Sequence, residues 1–145
     1  MVRGADDNIT TIAFTEFSVA ASSIDIIQEL TQVLTPEQVM LDPSSLETYG
    51  QDWTRFTSPA PSAVVFPRDT ADVVAIVECA RRCEFALVPS GGRTGLSGGA
   101  CAANGEVVVS MDKLNTISTV NLTDRTLTVG AGAITQNVQQ AASDA

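Results

Sequence analysis

The most regular run of apolar positions is Val73, Ile76, Val77 and Ala80, which keeps the i, i+3, i+4, i+7 spacing of one helix face. Asp69 and Thr70 offer caps at its start, and Arg81 and Arg82 sit in its last turn, where cations suit the helix dipole. Two apolar runs flank it, Ala63 to Phe66 stopped by Pro67, and Phe85 to Val88. Both are too short for helices and read as buried strands. Strand, helix, strand predicts a right-handed parallel βαβ unit, which delivers Pro89 to the carboxyl edge of the sheet, where open α/β sheets bind ligands.

Upstream, Ser23 is a candidate N-cap for a helix with Ile24, Ile27, Leu30 and Leu34 on one side. Thr35-Pro36-Glu37-Gln38 predicts a second helix start with a capping box, ended by Asp42-Pro43. Leu46 to Tyr49 predicts one helical turn, and Gly50 to Ser62 a polar loop in which Trp53 reads as a packing anchor ahead of a ligand contact. Downstream, Val107 to Ser110 predicts a strand, and Ile117 to Asn121 and Thr126 to Gly130 an antiparallel pair joined at Thr123-Asp124-Arg125. A final helix runs from Ile134 to Ala142, with Ile134, Val138 and Ala141 on one side. Met1 to Ser22 has no sustained period and reads as an irregular arm. Residues 23–145 then form an α+β domain, a small parallel βαβ part followed by an antiparallel β part.

Between the strands at Phe85 to Val88 and Val107 to Ser110 lies Pro89-Ser90-Gly91-Gly92-Arg93-Thr94-Gly95-Leu96-Ser97-Gly98-Gly99-Ala100, with five glycines and one charge. Glycines let backbone amides approach a ligand and adopt φ > 0, and successive N–H groups make an anion-binding concavity. Hydroxyls at Ser90, Thr94 and Ser97 add neutral donors. A P-loop is excluded because no Gly-Lys pair occurs, and the dinucleotide fingerprint because the glycine spacing differs. Gly130-Ala131-Gly132 is a near miss to that fingerprint, with Thr135 in place of the third glycine.

The stretches SGGRTGLSGGA, YGQDWTR, VVFP and VVVSMDKLN occur in one order. Together they resemble the start of the PCMH-type FAD-binding domain of the vanillyl-alcohol-oxidase/PCMH superfamily, nearest its D-2-hydroxy-acid dehydrogenase branch. The resemblance runs from about Ile24 to the C-terminus and implies a longer protein, of which this chain is the N-terminal portion of the FAD domain. It implies that Pro89, Ser90, Gly91, Gly92, Arg93, Thr94, Gly95, Leu96, Ser97, Gly98 and Gly99 hold the FAD pyrophosphate. Ser110 would lie close to the cofactor and Pro67 toward its adenine side. For Gly130 and Gly132, a secondary flavin contact and a plain tight turn stay equally open. The implied activity is hydride transfer to FAD from a D-2-hydroxy acid of the D-2-hydroxyglutarate or D-lactate type. The alternatives are another FAD-linked oxidase of the superfamily and a non-enzymatic nucleotide-binding module. Where relatives attach flavin covalently, this loop carries histidine at the place of Arg93, so non-covalent FAD is expected here. A homo-oligomer is expected of the complete protein.

The sequence has no histidine, so these residues offer no imidazole base, and the segment alone is expected to be inactive. A net charge of −9 opposes binding to nucleic acid or anionic membranes. No apolar run approaches a membrane span, and the acidic first residues suit neither a signal nor a transit peptide, so a cytoplasmic location is expected. Cys79, Cys83 and Cys101 lack a disulfide spacing and read as buried small hydrophobes, not as a closed four-ligand zinc site.

Overall fold

The computed structural model describes residues 23–54 and 56–145, so the arm assigned to residues 1–22 lies outside the described residues. Its centre is a four-stranded sheet of order β1-β2-β4-β3, formed by Val39–Met40, Ala63–Val65, Val107–Ser110 and Leu87–Ser90 in that spatial order. β4 pairs parallel with β2 on one side, Val64 opposite Val108, and with β3 on the other, Ser90 opposite Ser110. The crossover from β2 to β3 therefore leaves a central place that β4 fills. Strands covered on both faces are near-continuous in valine, and Val64, Val65, Val107 and Val108 are fully buried.

One face of the sheet is covered by α1, Ser23–Val33, and α3, Thr70–Cys83. Ile26, Leu30, Leu34, Ile76 and Cys79 pack there against Ala63, Val65, Val107 and Val109. Full burial of such a side chain contributes about 1.5–3 kcal/mol. The other face packs Val64, Phe66 and Val108 against Ala102, with Leu46 and Tyr49 of α2, Pro43–Tyr49, laid over them.

Several expectations are corrected by these contacts. On α3 the inward face is Ile76, Cys79 and Ala80, while Val77 is half exposed, because α1 packs on the side one residue round from the predicted stripe. On α1 Ile26, not Ile27, joins Leu30 and Leu34 in the core. The capping signal at Thr35 closes a single 3-10 turn, Pro36–Gln38, since Val39 and Met40 are drawn into antiparallel pairing with Val65 and Val64. Gln38 is buried there, its Oε1 accepting from the Thr35 N–H at 3.1 Å and its Nε2 donating to Asp72 Oδ2 at 2.7 Å. Asp42-Pro43 begins a helix instead of ending one: Asp42 Oδ1 accepts from the Ser45 N–H at 2.9 Å and caps α2.

β3 starts at Leu87, because Glu84 turns left-handed at φ 55° and the Phe85 N–H still closes on Ala80 O. The expected antiparallel strands downstream are reduced to two bridges, Ile117 with Val129 and Asn121 with Thr126. The last helix, α4, is Thr135–Ser143, with Ile134 as its N-cap and mostly exposed. Among the described residues no helix is long and apolar enough to cross a membrane.

Candidate functional site

The loop after β3 is a row of undonated amides. Among the described residues, none of the backbone N–H groups from Gly91 to Gly99 donates to a protein acceptor. Several of the loop's carbonyls are meanwhile taken: Gly91 O accepts from Arg93 Nη1, Gly95 O from the Trp53 N–H at 3.0 Å, and Gly98 O from the Cys101 N–H. Gly92, Thr94, Gly95, Leu96, Ser97 and Gly99 are exposed, so these amides are open to solvent, and successive N–H groups of this kind can take an anion.

Glycine has two separate uses here. Gly98 is left-handed at φ 75°, and it is the only loop glycine that needs that freedom. A Cβ built on Gly91, Gly92 or Gly99 meets no protein atom within 4 Å, so no packing forbids one and the space stays open to a ligand. At Gly95 a Cβ would come 3.1 Å from Asp52 Oδ2, a contact inside the protein.

The open side of the loop borders a cleft of about 1070 Å³. Gly91 to Thr94 form one wall, Asp112 and Asn115 the floor, and Ala131 to Asn137, including the first turn of α4, the opposite wall. A second cleft of about 640 Å³ lies across Gly92 and Arg93, between them and residues of the 48–59 segment. Trp53 is 69% exposed at its edge, so it is no packing anchor; its indole is available to a ligand.

Arg93, the loop's one charge, does not reach freely into the cleft. Its backbone is left-handed at φ 54°. Its guanidinium lies 4.5 Å above the Tyr49 ring, donates to Gly91 O at 3.1 Å and stands 3.6 Å from Asp112 Oδ1. The Tyr49 hydroxyl donates to Asp112 Oδ2 at 3.1 Å, and burial, with this bond, raises its pKa. The ring rests edge-on against Phe66. Arg93 thus fastens the loop to α2 and to the turn after β4, with Asp112 beside its charge.

Sequence reasoning missed Asp52. Its side chain is almost wholly buried behind the loop, where Oδ1 accepts from the Thr54 N–H at 2.7 Å and the Cys101 thiol at 3.2 Å. The Thr54 backbone bond is the main reason its carboxyl is held below the usual range. Asp52 Oδ2, Thr54 Oγ1 and Ser90 Oγ are buried with no protein partner. The signal for Asp52 was its place between Tyr49 and Trp53 in the one long loop that precedes β2.

The remaining expected residues separate into two groups. Gly91, Gly92, Arg93, Thr94 and Gly132 border the larger cleft, and Leu96 and Ser97 are exposed on the loop. Pro67 and Ser110 are buried and border neither cleft; Ser110 Oγ accepts from the Asp112 N–H at 3.3 Å and so shapes the turn that carries Asp112. Pro89 lies in β3, opposite Val109. At Gly130 and Gly132 added Cβ atoms would lie 2.0 Å from Leu114 O and 1.8 Å from Met111 O. Close backbone approach alone demands glycine at both.

Residues 61–145 match the FAD binding domain family. The chain belongs to this family. The free amides, the glycines with no protein neighbour and the orphaned Ser90 hydroxyl fit the pyrophosphate of such a cofactor. Over 119 residues the chain is 51% identical to a D-2-hydroxyglutarate dehydrogenase of Stutzerimonas stutzeri, covering 82% of this chain and 26% of that protein. It is 47% identical to a protein of the same name from Xanthomonas citri, covering 81% of this chain and 25% of that one. The chain therefore spans about a quarter of the length of these relatives. Among solved structures, alkyldihydroxyacetonephosphate synthase superposes with a TM-score of 0.72 at 19% identity, over 81% of this chain and 26% of that one. This likeness shows a shared fold, the PCMH type.

Proposed function

We propose that these residues form the pyrophosphate-holding part of the FAD site in an enzyme that oxidises a D-2-hydroxy acid. The observation that carries the reading is the row of undonated N–H groups from Gly91 to Gly99, of which Gly91 to Thr94 border an open cleft. The cofactor, when bound, accepts the hydride that leaves the substrate Cα. The chain's own residues bind and orient it. Amides of the loop hold the phosphates, with Ser90, Thr94 and Ser97 as the nearby hydroxyls. Gly132 and the first turn of α4 close the opposite wall. Arg93, Tyr49 and Asp112 hold the loop in shape from beneath, and Asp52 does so from behind.

Arg93 carries a guanidinium, a poor nucleophile, engaged with Asp112 and Tyr49, so it does not attack flavin and the cofactor is held non-covalently. The sequence contains no histidine, and no base is assigned to these residues. D-2-Hydroxyglutarate is the preferred substrate in this reading, supported by the relatives at 51% and 47% identity. A cytoplasmic location and a homo-oligomeric enzyme belong to the same proposal.

The test is dye reduction by the purified full-length protein with D-2-hydroxyglutarate, D-lactate and glycolate. Turnover with D-2-hydroxyglutarate above the other two is expected. Turnover only with alcohols, sugars or amines would transfer the protein to another branch of the superfamily, and absence of bound flavin would overturn the reading.

A further inference from the structure

At the end of α3 remote from the glycine loop, three donor groups converge across the α1–α3 contact. Cys79 and Cys83 stand four residues apart on one helix face, and Glu29 approaches from α1; one ligand atom from each lies within 4.8 Å of the other two. The i, i+4 spacing places two side chains side by side, as in the two histidines of a helical zinc motif. Cys79 is buried, while Cys83 and Glu29 are partly exposed, so the cluster has an approach from solvent. The cysteines are free thiols, and none is in a disulfide.

We propose that Glu29, Cys79 and Cys83 form a binding site for a thiophilic divalent cation of the Zn²⁺ and Cd²⁺ class, with solvent as the fourth ligand. Metal–sulfur bonds of ~2.3 Å in a tetrahedral site put the sulfurs roughly 3.8 Å apart, which small rotations within the cysteine rotamers reach from the observed spread. On binding, each S–H bond gives its proton to solvent and a metal–sulfur bond replaces it. Two thiolates, one carboxylate and a divalent cation leave one net negative charge. Arg82 is already placed to offset it: its Nη2 is 2.8 Å from Glu29 Oε2 and 3.8 Å from Cys79 Sγ. Burial raises the Cys79 pKa, so the proton that metal binding must displace is firmly held in the free protein. The soft-metal preference follows from the donors, since two sulfurs disfavour Mg²⁺ and Ca²⁺. This site lies apart from the loop that holds the cofactor, and it stands or falls independently of the flavin reading.

The experiment is titration of the reduced, metal-stripped full-length protein with Cd²⁺, read by bound equivalents and by thiolate-to-cadmium absorption in the ultraviolet. Wild type is expected to bind one equivalent more than the Cys83→Ser variant, which also loses its share of the absorption. Glu29→Gln, a surface change, should keep the absorption but bind more weakly. Iodoacetamide labelling read by peptide mass needs no variant: Cd²⁺ should protect the partly exposed Cys83 and leave Cys101 as reactive as before. Equal stoichiometry in wild type and Cys83→Ser, or labelling of Cys83 unchanged by Cd²⁺, would overturn the proposal.

Discussion

Replacing Gly132 by alanine, measured on the apoprotein, tests the packing of the cleft wall. The new Cβ would lie 1.8 Å from Met111 O and 2.6 Å from Met111 C, and relief to 3.0 Å requires the two backbones to part by more than about 1 Å. That movement strains the Gly132 N–H bond to Leu114 O, now 2.9 Å, and the neighbouring Gly130 N–H bond to Thr116 O. Overpacking of this kind costs about 1–3 kcal/mol, and a lost backbone bond adds about 1 kcal/mol. The expected loss is about 3 kcal/mol, roughly a 100-fold fall in the folded-to-unfolded ratio. Urea unfolding of the full-length apoprotein, followed by circular dichroism, should show a lower midpoint at unchanged slope. Gly92→Ala is the control: its Cβ meets nothing within 4 Å, and stability should stay within about 0.5 kcal/mol of wild type. A Gly132→Ala protein as stable as the control would refute the reasoning.

Asp52→Leu should weaken flavin binding, because the Thr54 N–H and the Cys101 thiol lose their acceptor, whereas Asp52→Asn keeps one and should retain flavin; equal behaviour of the two would contradict the assigned role. Arg93→Met removes the Tyr49 stacking and the Asp112 pair and should cost about 1 kcal/mol of stability in thermal unfolding, with an unchanged midpoint arguing against the fastening role. Asp42 is held at about 2, below its ordinary 3.8, first by the Ser44 hydroxyl and then by Ser45, so its cap contributes in full above pH 4 and is lost as the pH falls toward 2. Asp42→Asn should flatten the pH dependence of stability in that window, and an unaltered slope would remove the cap from the account. Acid precipitation of the full-length protein should leave the yellow colour in the supernatant, and colour in the pellet would show a covalent flavin.

The legible parts of the fold were those dictated by local pattern. Val107 to Ser110 and Ala63 to Val65 are β-branched runs that read as buried strands, and Asp69 announced α3 because a cap is a local interaction. The glycine loop was legible for the same reason. What the sequence hid depends on partners distant in the chain. Val39 and Met40 became a strand only because Val65 and Val64 offered an edge, which overrode a sound capping signal at Thr35. The inward face of α3 was set by α1 and not by its own periodicity. Arg93 looked free for phosphate, since nothing near it in sequence predicts Tyr49 beneath its guanidinium or Asp112 beside it. The glycines at 130 and 132 read as a damaged fingerprint, and the close approach of two carbonyls of the 111–114 turn, which gives both a packing reason, is invisible in sequence.

The central claim is that backbone N–H groups from Gly91 to Gly99 hold the FAD pyrophosphate, and amide hydrogen exchange of the full-length apoprotein with and without added FAD tests it most directly. The account predicts that FAD slows exchange strongly across Gly91 to Gly99, with lesser protection at Gly132 to Asn137 on the facing wall. Unchanged exchange in the 91–99 loop while FAD is bound would contradict it.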